Sequence, residues 1–346
     1  MATIFGLDIG TANIKVVQIS GSRGKVELLA AGMAPTPGKG ALSEADADQQ
    51  ELANAVRALV VQAKIMTPNV VASLPESQIF TRVIETATLT DSELQSAIKY
   101  EAEQYIPLPM SEVKLDYQVL SRPPEGTPNA KMEILLVAAP NVLVNRYLKI
   151  LSLAGLKPYA LGTEVTAGAR SLTSTLTSAP TTLILEIGAT TTELAVIEGE
   201  ELVMTRSIAT GGLAFTRAIA QDLGFELTQA EEYKTTYGLD ASQLEGKIAS
   251  AIKPIVDVVM NEVKRAIAYQ ASRNQEKSVK RIVVAGGSAK MPGLIPYLTE
   301  VTGLEAELAN PWESVAFNHN VSPDVLDNGA IYAIAAGLAE KDIFES

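Results

Sequence analysis

Two short stretches of this chain set an acid, a glycine and small hydroxylated residues in the same order. Asp8 precedes Ile9, Gly10, Thr11, Ala12 and Asn13, and Glu186 precedes Ile187, Gly188, Ala189, Thr190 and Thr191. An apolar strand runs into each acid, and a second apolar strand leaves each turn, Ile14 to Val17 and Leu194 to Val196. β-Branched runs on either side of a glycine-containing turn read as a hairpin. The acid at the mouth is what adds chemistry. A carboxylate there can hold a hydrated Mg²⁺, while the glycine and the backbone N–H groups after it can cradle phosphate oxygens. One Asp-x-Gly is also an ordinary turn. The duplication is what argues for two hairpins that face each other and clamp the phosphates of a nucleotide.

The elements that must position these turns are legible as periodic patterns. A strand follows at Lys25 to Met33, then a Pro- and Gly-rich loop from Ala34 to Gly40. Leu52, Val56, Leu59, Val60 and Ala63 form a helical stripe within Asp48 to Met66, and Asn69 to Leu74 is a strand. From Ile79 to Pro158 the texture changes: a strand at Phe80 to Thr86, and a helix from Asp91 to Tyr105 capped by Thr90 or Asp91. Strands at Lys114 to Ser121 and Lys131 to Ala138 and a helix at Asn141 to Ala154 complete it. This run has no phosphate motif. It reads as an inserted subdomain contributing partner binding, with the Asp91 helix and the Phe80 strand as the expected contact elements.

The second half follows a Ser/Thr-rich stretch, Ser171 to Thr182. After the repeated hairpin come a strand at Glu201 to Ile208, Thr210-Gly211-Gly212 leading into a helix, and helices at Thr228 to Tyr237 and Leu244 to Asn274. The buried strand Arg281 to Ala285 runs into Gly286-Gly287-Ser288. A last helix, Asp327 to Glu340, is expected to pack back on the first half. The expected organisation is a first lobe over 1–78, an inserted unit over 79–158, a return to the first lobe over 159–180, a second lobe over 181–326 and a C-terminal helix over 327–346.

Composition excludes several classes. At 346 residues the chain exceeds one simple core. No stretch approaches the roughly 20 apolar residues that span a bilayer, and the N-terminus begins in a strand with no signal-peptide features. The absence of cysteine excludes disulfides, Cys-based zinc sites and thiol nucleophiles, and with no signal it leads us to expect the cytoplasm. The single histidine, His319, lies in Phe317-Asn318-His319-Asn320 with no nucleophile elbow elsewhere, so it reads as a loop residue. A net charge of −12 without a basic, aromatic-interleaved stripe argues against nucleic acid.

Five segments resemble the actin-like ATPase superfamily, which includes heat-shock chaperones, hexokinases and the division protein FtsA. The Asp8 and Glu186 hairpins resemble its two phosphate motifs, and Val283 to Leu294 resembles its adenosine motif. Gly162-Thr163-Glu164-Val165 and Asp327 to Leu338 resemble its two connecting helices. Within that superfamily, Ser73-Leu74-Pro75, the Arg82 strand, Leu94, Tyr100 to Pro109, Ala209 to Gly212 and Ala230 to Lys234 resemble PilM, the cytoplasmic type IV pilus assembly family. The resemblance covers nearly the whole chain. It implies an α/β fold with an α+β inserted unit: the actin-like ATPase fold, two lobes with duplicated RNase H-like cores and an FtsA/PilM-type inserted subdomain.

It also implies ATP and Mg²⁺ as cofactors. Asp8 and Glu186 would bind Mg²⁺ through water. Gly10, Thr11, Ala12 and Asn13, with Gly188, Ala189, Thr190 and Thr191 opposite, would line the phosphates. Lys15 would reach a phosphate, although as a strand residue it could equally face solvent. Glu164 would orient the attacking water, with a helix-start cap as its alternative, and Glu186 is the second catalytic candidate. Gly211 and Gly212 would bring backbone and a helix N-terminus to the phosphates. Glu231 and Lys234, one helical turn apart, would hold the ribose and flank the adenine, beside Gly286, Gly287 and Ser288.

One departure stands out: Glu186 occupies a position that usually carries Asp, which argues against fast turnover. The implied partner is the N-terminal cytoplasmic segment of PilN, captured in a groove between the first lobe and the inserted unit. Through it the protein would link the inner-membrane alignment complex to other pilus and motor components. The membrane would be reached only through partners, and self-association is left open. An FtsA-like division protein is the alternative, disfavoured because Lys341 to Ser346 carries no basic amphipathic extension. An actin-fold metabolic kinase is more distant still, since no catalytic aspartate base or substrate pocket is evident.

Overall fold

Both expected hairpins form, and each seeds a sheet. The computed structural model describes residues 3–22, 24–124, 127, 130–173, 180–199, 201–317 and 321–344. His319, part of the Ser/Thr-rich stretch and part of the loop between Ser121 and Lys131 lie outside them. β1 (Phe5–Ile9) and β2 (Asn13–Ser22) pair antiparallel, and β3 (Lys25–Pro35) adds to β2. Helix α1 (Asp46–Gln62) crosses to β4 (Asn69–Leu74), which runs parallel to β1. β5 (Phe80–Ala87), α2 (Asp91–Glu103), β6 (Val113–Ser121) and β7 (Lys131–Pro140) follow, and then α3 (Asn141–Leu153), β8 (Lys157–Thr163) and α4 (Glu164–Thr173).

The second hairpin is β9 (Thr182–Ile187) and β10 (Thr192–Glu198), extended by β11 (Glu201–Ile208). Helices α5 (Gly212–Leu223), α6 (Leu227–Tyr237) and α7 (Lys247–Arg273) lead to β12 (Arg281–Ala285), α8 (Leu294–Thr302) and β13 (Glu305–Leu308). The chain then returns through β14 (Val315–Phe317), α9 (Pro323–Asp327), α10 (Ala333–Ala339) and α11 (Lys341–Phe344). The strands make a six-stranded sheet, β14-β3-β2-β1-β4-β8, a five-stranded sheet, β11-β10-β9-β12-β13, and a three-stranded sheet, β5-β7-β6. β1 and β9 are buried along their whole length, which is why they read as unbroken apolar runs instead of alternating ones.

Packing redraws three of the expected boundaries. α3, grouped by sequence with the inserted unit, sends Leu143, Tyr147, Ile150 and Leu151 into the first-lobe core with Phe5, Leu7 and Leu52. The short β14, assigned to the second lobe by its position in the chain, joins β3 in the first sheet. The last helix is interrupted: a 3₁₀ turn spans Gly329–Tyr332 and α10 begins only at Ala333, while a Cβ at Gly329 would stand 2.7 Å from the Trp312 indole nitrogen.

The three-stranded unit touches both lobes. One face of β7, through Ile134, Leu136 and Ala138, packs under Leu94, Ile98 and Ala102 of α2. Leu135 on the other face joins the second-lobe core. Arg273 of α7 pairs with Glu133 of β7, and the Thr205 hydroxyl of β11 donates to the Thr81 carbonyl of β5 at 3.4 Å.

Two helices, α4 and α10, lie against each other in the middle of the molecule. A Cβ at Gly337 would come within 1.8 Å of the Ala167 carbonyl, so only glycine permits this approach. Arg170 donates to the Gly337 carbonyl and the Ser171 hydroxyl to the Ala333 carbonyl, each at 2.8 Å.

Candidate functional site: an interlobe cleft and a neighbouring groove

The two hairpin turns meet. Thr11 Oγ1 and Thr190 Oγ1 lie 3.2 Å apart, and the turns are closed by equivalent backbone bonds. The Gly10 N–H donates to the Asn13 carbonyl at 3.1 Å, and the Gly188 N–H to the Thr191 carbonyl at 2.9 Å. Between the lobes opens a cleft of about 600 Å³, a size suited to a small-molecule ligand. Every site residue expected from sequence lines it except Gly211. Gly211 sits underneath, where a Cβ would be 2.7 Å from the Gly188 carbonyl.

The helix N-terminus after it is also engaged. The Gly212 and Leu213 N–H groups donate to the Gly188 and Ala189 carbonyls at 2.9 and 2.8 Å. These two groups therefore brace the second turn instead of pointing at a ligand.

The first turn is electrostatically closed. Lys15 donates to Asp8 Oδ2 at 2.8 Å, and the Ser73 hydroxyl donates to Oδ1 at 3.2 Å. Burial works to lower the Lys15 ammonium, but Asp8, Glu186 and Glu164 outweigh it and hold it above its ordinary value. Lys15 thus lines the cleft beside Gly10 with its ammonium paired to Asp8. Its charge is taken by Asp8.

The second turn is the reverse. Glu186 lies opposite Glu193 in the ladder. Burial, reinforced by Asp8 and Glu193 and opposed by Lys15, pushes the Glu186 carboxyl up to about 8. Burial and then Glu76 push Glu193 up to about 7, and its Oε2 has no partner while Ser207 donates to Oε1 at 2.9 Å. The longer Glu186 side chain is accommodated by Gly168 of α4, where a Cβ would lie 3.1 Å from Oε2.

Glu164 opens α4 at the cleft wall, and its Oε2 accepts the Glu76 N–H at 2.9 Å, so it serves the β4–β5 loop. Burial, then Asp8, raises its carboxyl well above the usual range. No three acids or histidines among the described residues stand close enough to ligate a metal directly. A convergent but non-chelating acid set fits a cation that keeps much of its water shell.

At the other end of the cleft, Lys234 is buried and donates to Glu231 at 2.7 Å, the Thr216 hydroxyl at 3.1 Å and the Gly212 carbonyl at 3.2 Å. Gly286 has φ +90° and a Cβ there would be 2.5 Å from the Ile187 carbonyl, whereas a Cβ at Gly287 meets nothing within 4 Å. Gly286 is glycine for the backbone turn; Gly287 leaves open space at the cleft.

Sequence reasoning missed Glu193, along with Leu213, Thr216, Arg217 and Ile334 on the same walls. The repeat itself held the signal for Glu193: it follows Glu186 by the same seven positions that separate Lys15 from Asp8.

A second cavity of about 430 Å³ lies between the first lobe and the inserted unit, at the edge strands β6 and β8. Tyr117, Leu135 and Val137 form one wall, and Val71, Leu161 and Leu338 the other. The elements favoured from sequence do not line it. α2 covers the opposite face of the small sheet, and β5 abuts β11. The two connecting helices serve both cavities: Glu164 and Ile334 line the cleft, while Thr166, Arg170 and Leu338 line the groove.

A family model described as type IV pilus assembly protein PilM matches residues 6–343. The chain belongs to that family. A chain from a solved PilM–PilN type IV pilus biogenesis complex is 31% identical, covers 99% of each chain and superposes with a TM-score of 0.86. FtsA of Streptococcus pneumoniae is 24% identical over 368 residues, which span 92% of this chain and 78% of FtsA. MreB5 of Spiroplasma citri, solved with AMPPNP bound, is 16% identical with a TM-score of 0.52, covering 100% of this chain and 96% of that one. The PilM fold seen here is thus the actin-like ATPase fold with two lobes around a cleft. No helix among the described residues is long and apolar enough to cross a membrane.

Proposed function

We propose that this PilM-family protein is a nucleotide-dependent scaffold of type IV pilus assembly. It binds ATP with a hydrated Mg²⁺ in the interlobe cleft and captures the N-terminal cytoplasmic segment of PilN in the groove between β6 and β8. Through that segment it links the inner-membrane complex to the motor machinery. Asp8, Glu186 and Glu193 are the acids that would face the hydrated cation. The cation, when bound, would neutralise phosphate charge. Hydrolysis is slow or absent, in keeping with Glu186 at the second turn and with a scaffold's need to retain its nucleotide.

The observation that carries the partner is the full-length likeness to a chain of the PilM–PilN complex. The groove adds a physical rationale, since two edge strands offer unpaired backbone groups to an extended peptide and apolar side chains between them. Because α4 and α10 wall both cavities, a lobe movement driven by nucleotide reaches the groove, and any change in affinity is reciprocal.

Calorimetry with a peptide of the PilN N-terminal segment, with and without Mg-ATP, tests the reading. Leu161→Arg in the groove should weaken the peptide at least about tenfold and leave Mg-ATP stabilisation intact. Tyr100→Ala, on exposed α2 away from the groove, should change neither. The reverse pattern moves recognition to α2, as the sequence first suggested.

A further inference from the structure

A small chamber of about 50 Å³ lies against the paired phosphate turns. Gly10, Thr11, Thr190, Thr191 and Glu164 line both this chamber and the nucleotide cleft, so the two spaces adjoin at the turns. The space suits a few waters and is too small for an organic ligand.

Tyr147 reaches the chamber from α3. Its side chain is 1% exposed and its ring packs in the first-lobe core, yet its hydroxyl makes no hydrogen bond to any described residue. A buried phenol normally finds a partner, because an unpaired one forfeits its hydration. Burial, then the charges of Glu164 and Asp8, hold this phenol well above its usual range, so it is an O–H donor at neutral pH. Glu164 commits Oε2 to the Glu76 N–H, which leaves Oε1 to hydrogen-bond a water. Two polar groups, the Tyr147 hydroxyl and Glu164 Oε1, therefore share one water-sized space directly against the turns.

We infer that this chamber is a water site of the nucleotide cleft, in which Tyr147 and Glu164 hold a water against the terminal phosphate of a nucleoside triphosphate. The inference rests on the nucleotide reading above and adds Tyr147 as a positioning residue that senses the third phosphate. Tyr147 and Glu164 each hydrogen-bond the water, and the water donates to a terminal phosphate oxygen. A diphosphate supplies no oxygen at that point.

Tyr147→Phe deletes the one oxygen and keeps the ring in the core. Affinities for Mg-AMPPNP and Mg-ADP, measured by calorimetry on wild type and variant, give the test. The triphosphate analogue should weaken roughly three- to tenfold while ADP is unchanged. Ser77→Leu, at the exposed rim of the chamber, should give the same selective loss by filling it, and serves if the core variant does not fold. A purely structural role moves both nucleotides together or neither, and either result overturns the inference. Wild type that binds both nucleotides, with both variants indifferent, removes the water site and leaves the nucleotide reading standing. Wild type that binds neither removes both.

Discussion

The two hairpins follow the same path but differ in charge: one pairs an acid with a lysine, the other an acid with an acid. In each, the acid at the strand end faces, across the ladder, the residue seven positions later. In the first, that residue is Lys15, which closes a 2.8 Å ion pair on Asp8. In the second it is Glu193, and two buried carboxyls stand side by side at about 8 and about 7. The backbone geometry is set by the glycine, the closing N–H bond and the apolar strands, and those are alike in both. What differs is whether the turn is neutral before a ligand arrives. The first turn compensates itself, while the second accumulates negative charge that a proton or a hydrated cation must offset. A duplicated fold thus concentrates its uncompensated acids on one side of the cleft.

The largest effect should come from breaking the compensated side. Lys15→Met leaves Asp8 buried beside Glu164 and Glu186 without its cation, and breaking such a pair typically costs about 3–5 kcal/mol. Urea denaturation should show that loss, and adding Asp8→Asn to the same chain should recover most of it. A loss under about 1 kcal/mol would mean that the first turn does not depend on the pair.

The uncompensated side should respond in the opposite sense. The Glu193 carboxyl sits at about 7 in the folded chain against 4.5 when free. Folding is therefore penalised increasingly as pH rises from about 4.5 to 7, and the penalty is complete above that window. Glu193→Gln should stabilise the nucleotide-free protein by roughly 2–3 kcal/mol at pH 8 and leave it unchanged near pH 4. Denaturation midpoints at the two pH values distinguish this from packing, which would shift both alike.

Much of this was legible from sequence because the signals are local. The two turns, the strand ending at Gly286 and the pair Glu231 and Lys234 all depend on residues a few positions apart, and they line one cleft. What escaped depends on contacts between distant segments. An acid in a strand, such as Glu193, reads as solvent-facing until its partner strand is known to be buried. The stripe of α3 announces an amphipathic helix without saying which sheet it covers, so Tyr147 was assigned to the wrong unit. Gly211 and Gly212 looked like a phosphate-binding helix start, but Gly188 and Ala189 take the N–H groups at that helix start. The groove is formed by β6, β8 and two connecting helices that no single motif links.

The central claim is that the meeting turns form a nucleotide site whose second turn requires a cation. Its most direct test is thermal unfolding of the wild-type protein with ATP, in excess Mg²⁺ and again in chelator. With Mg²⁺, ATP at about a hundredfold over its dissociation constant should stabilise the protein by about 2.7 kcal/mol; in chelator most of that should vanish, because the triphosphate would meet Glu186 and Glu193 without an intervening cation. Equal stabilisation in both conditions would contradict the charge asymmetry, and no stabilisation in either would contradict the site.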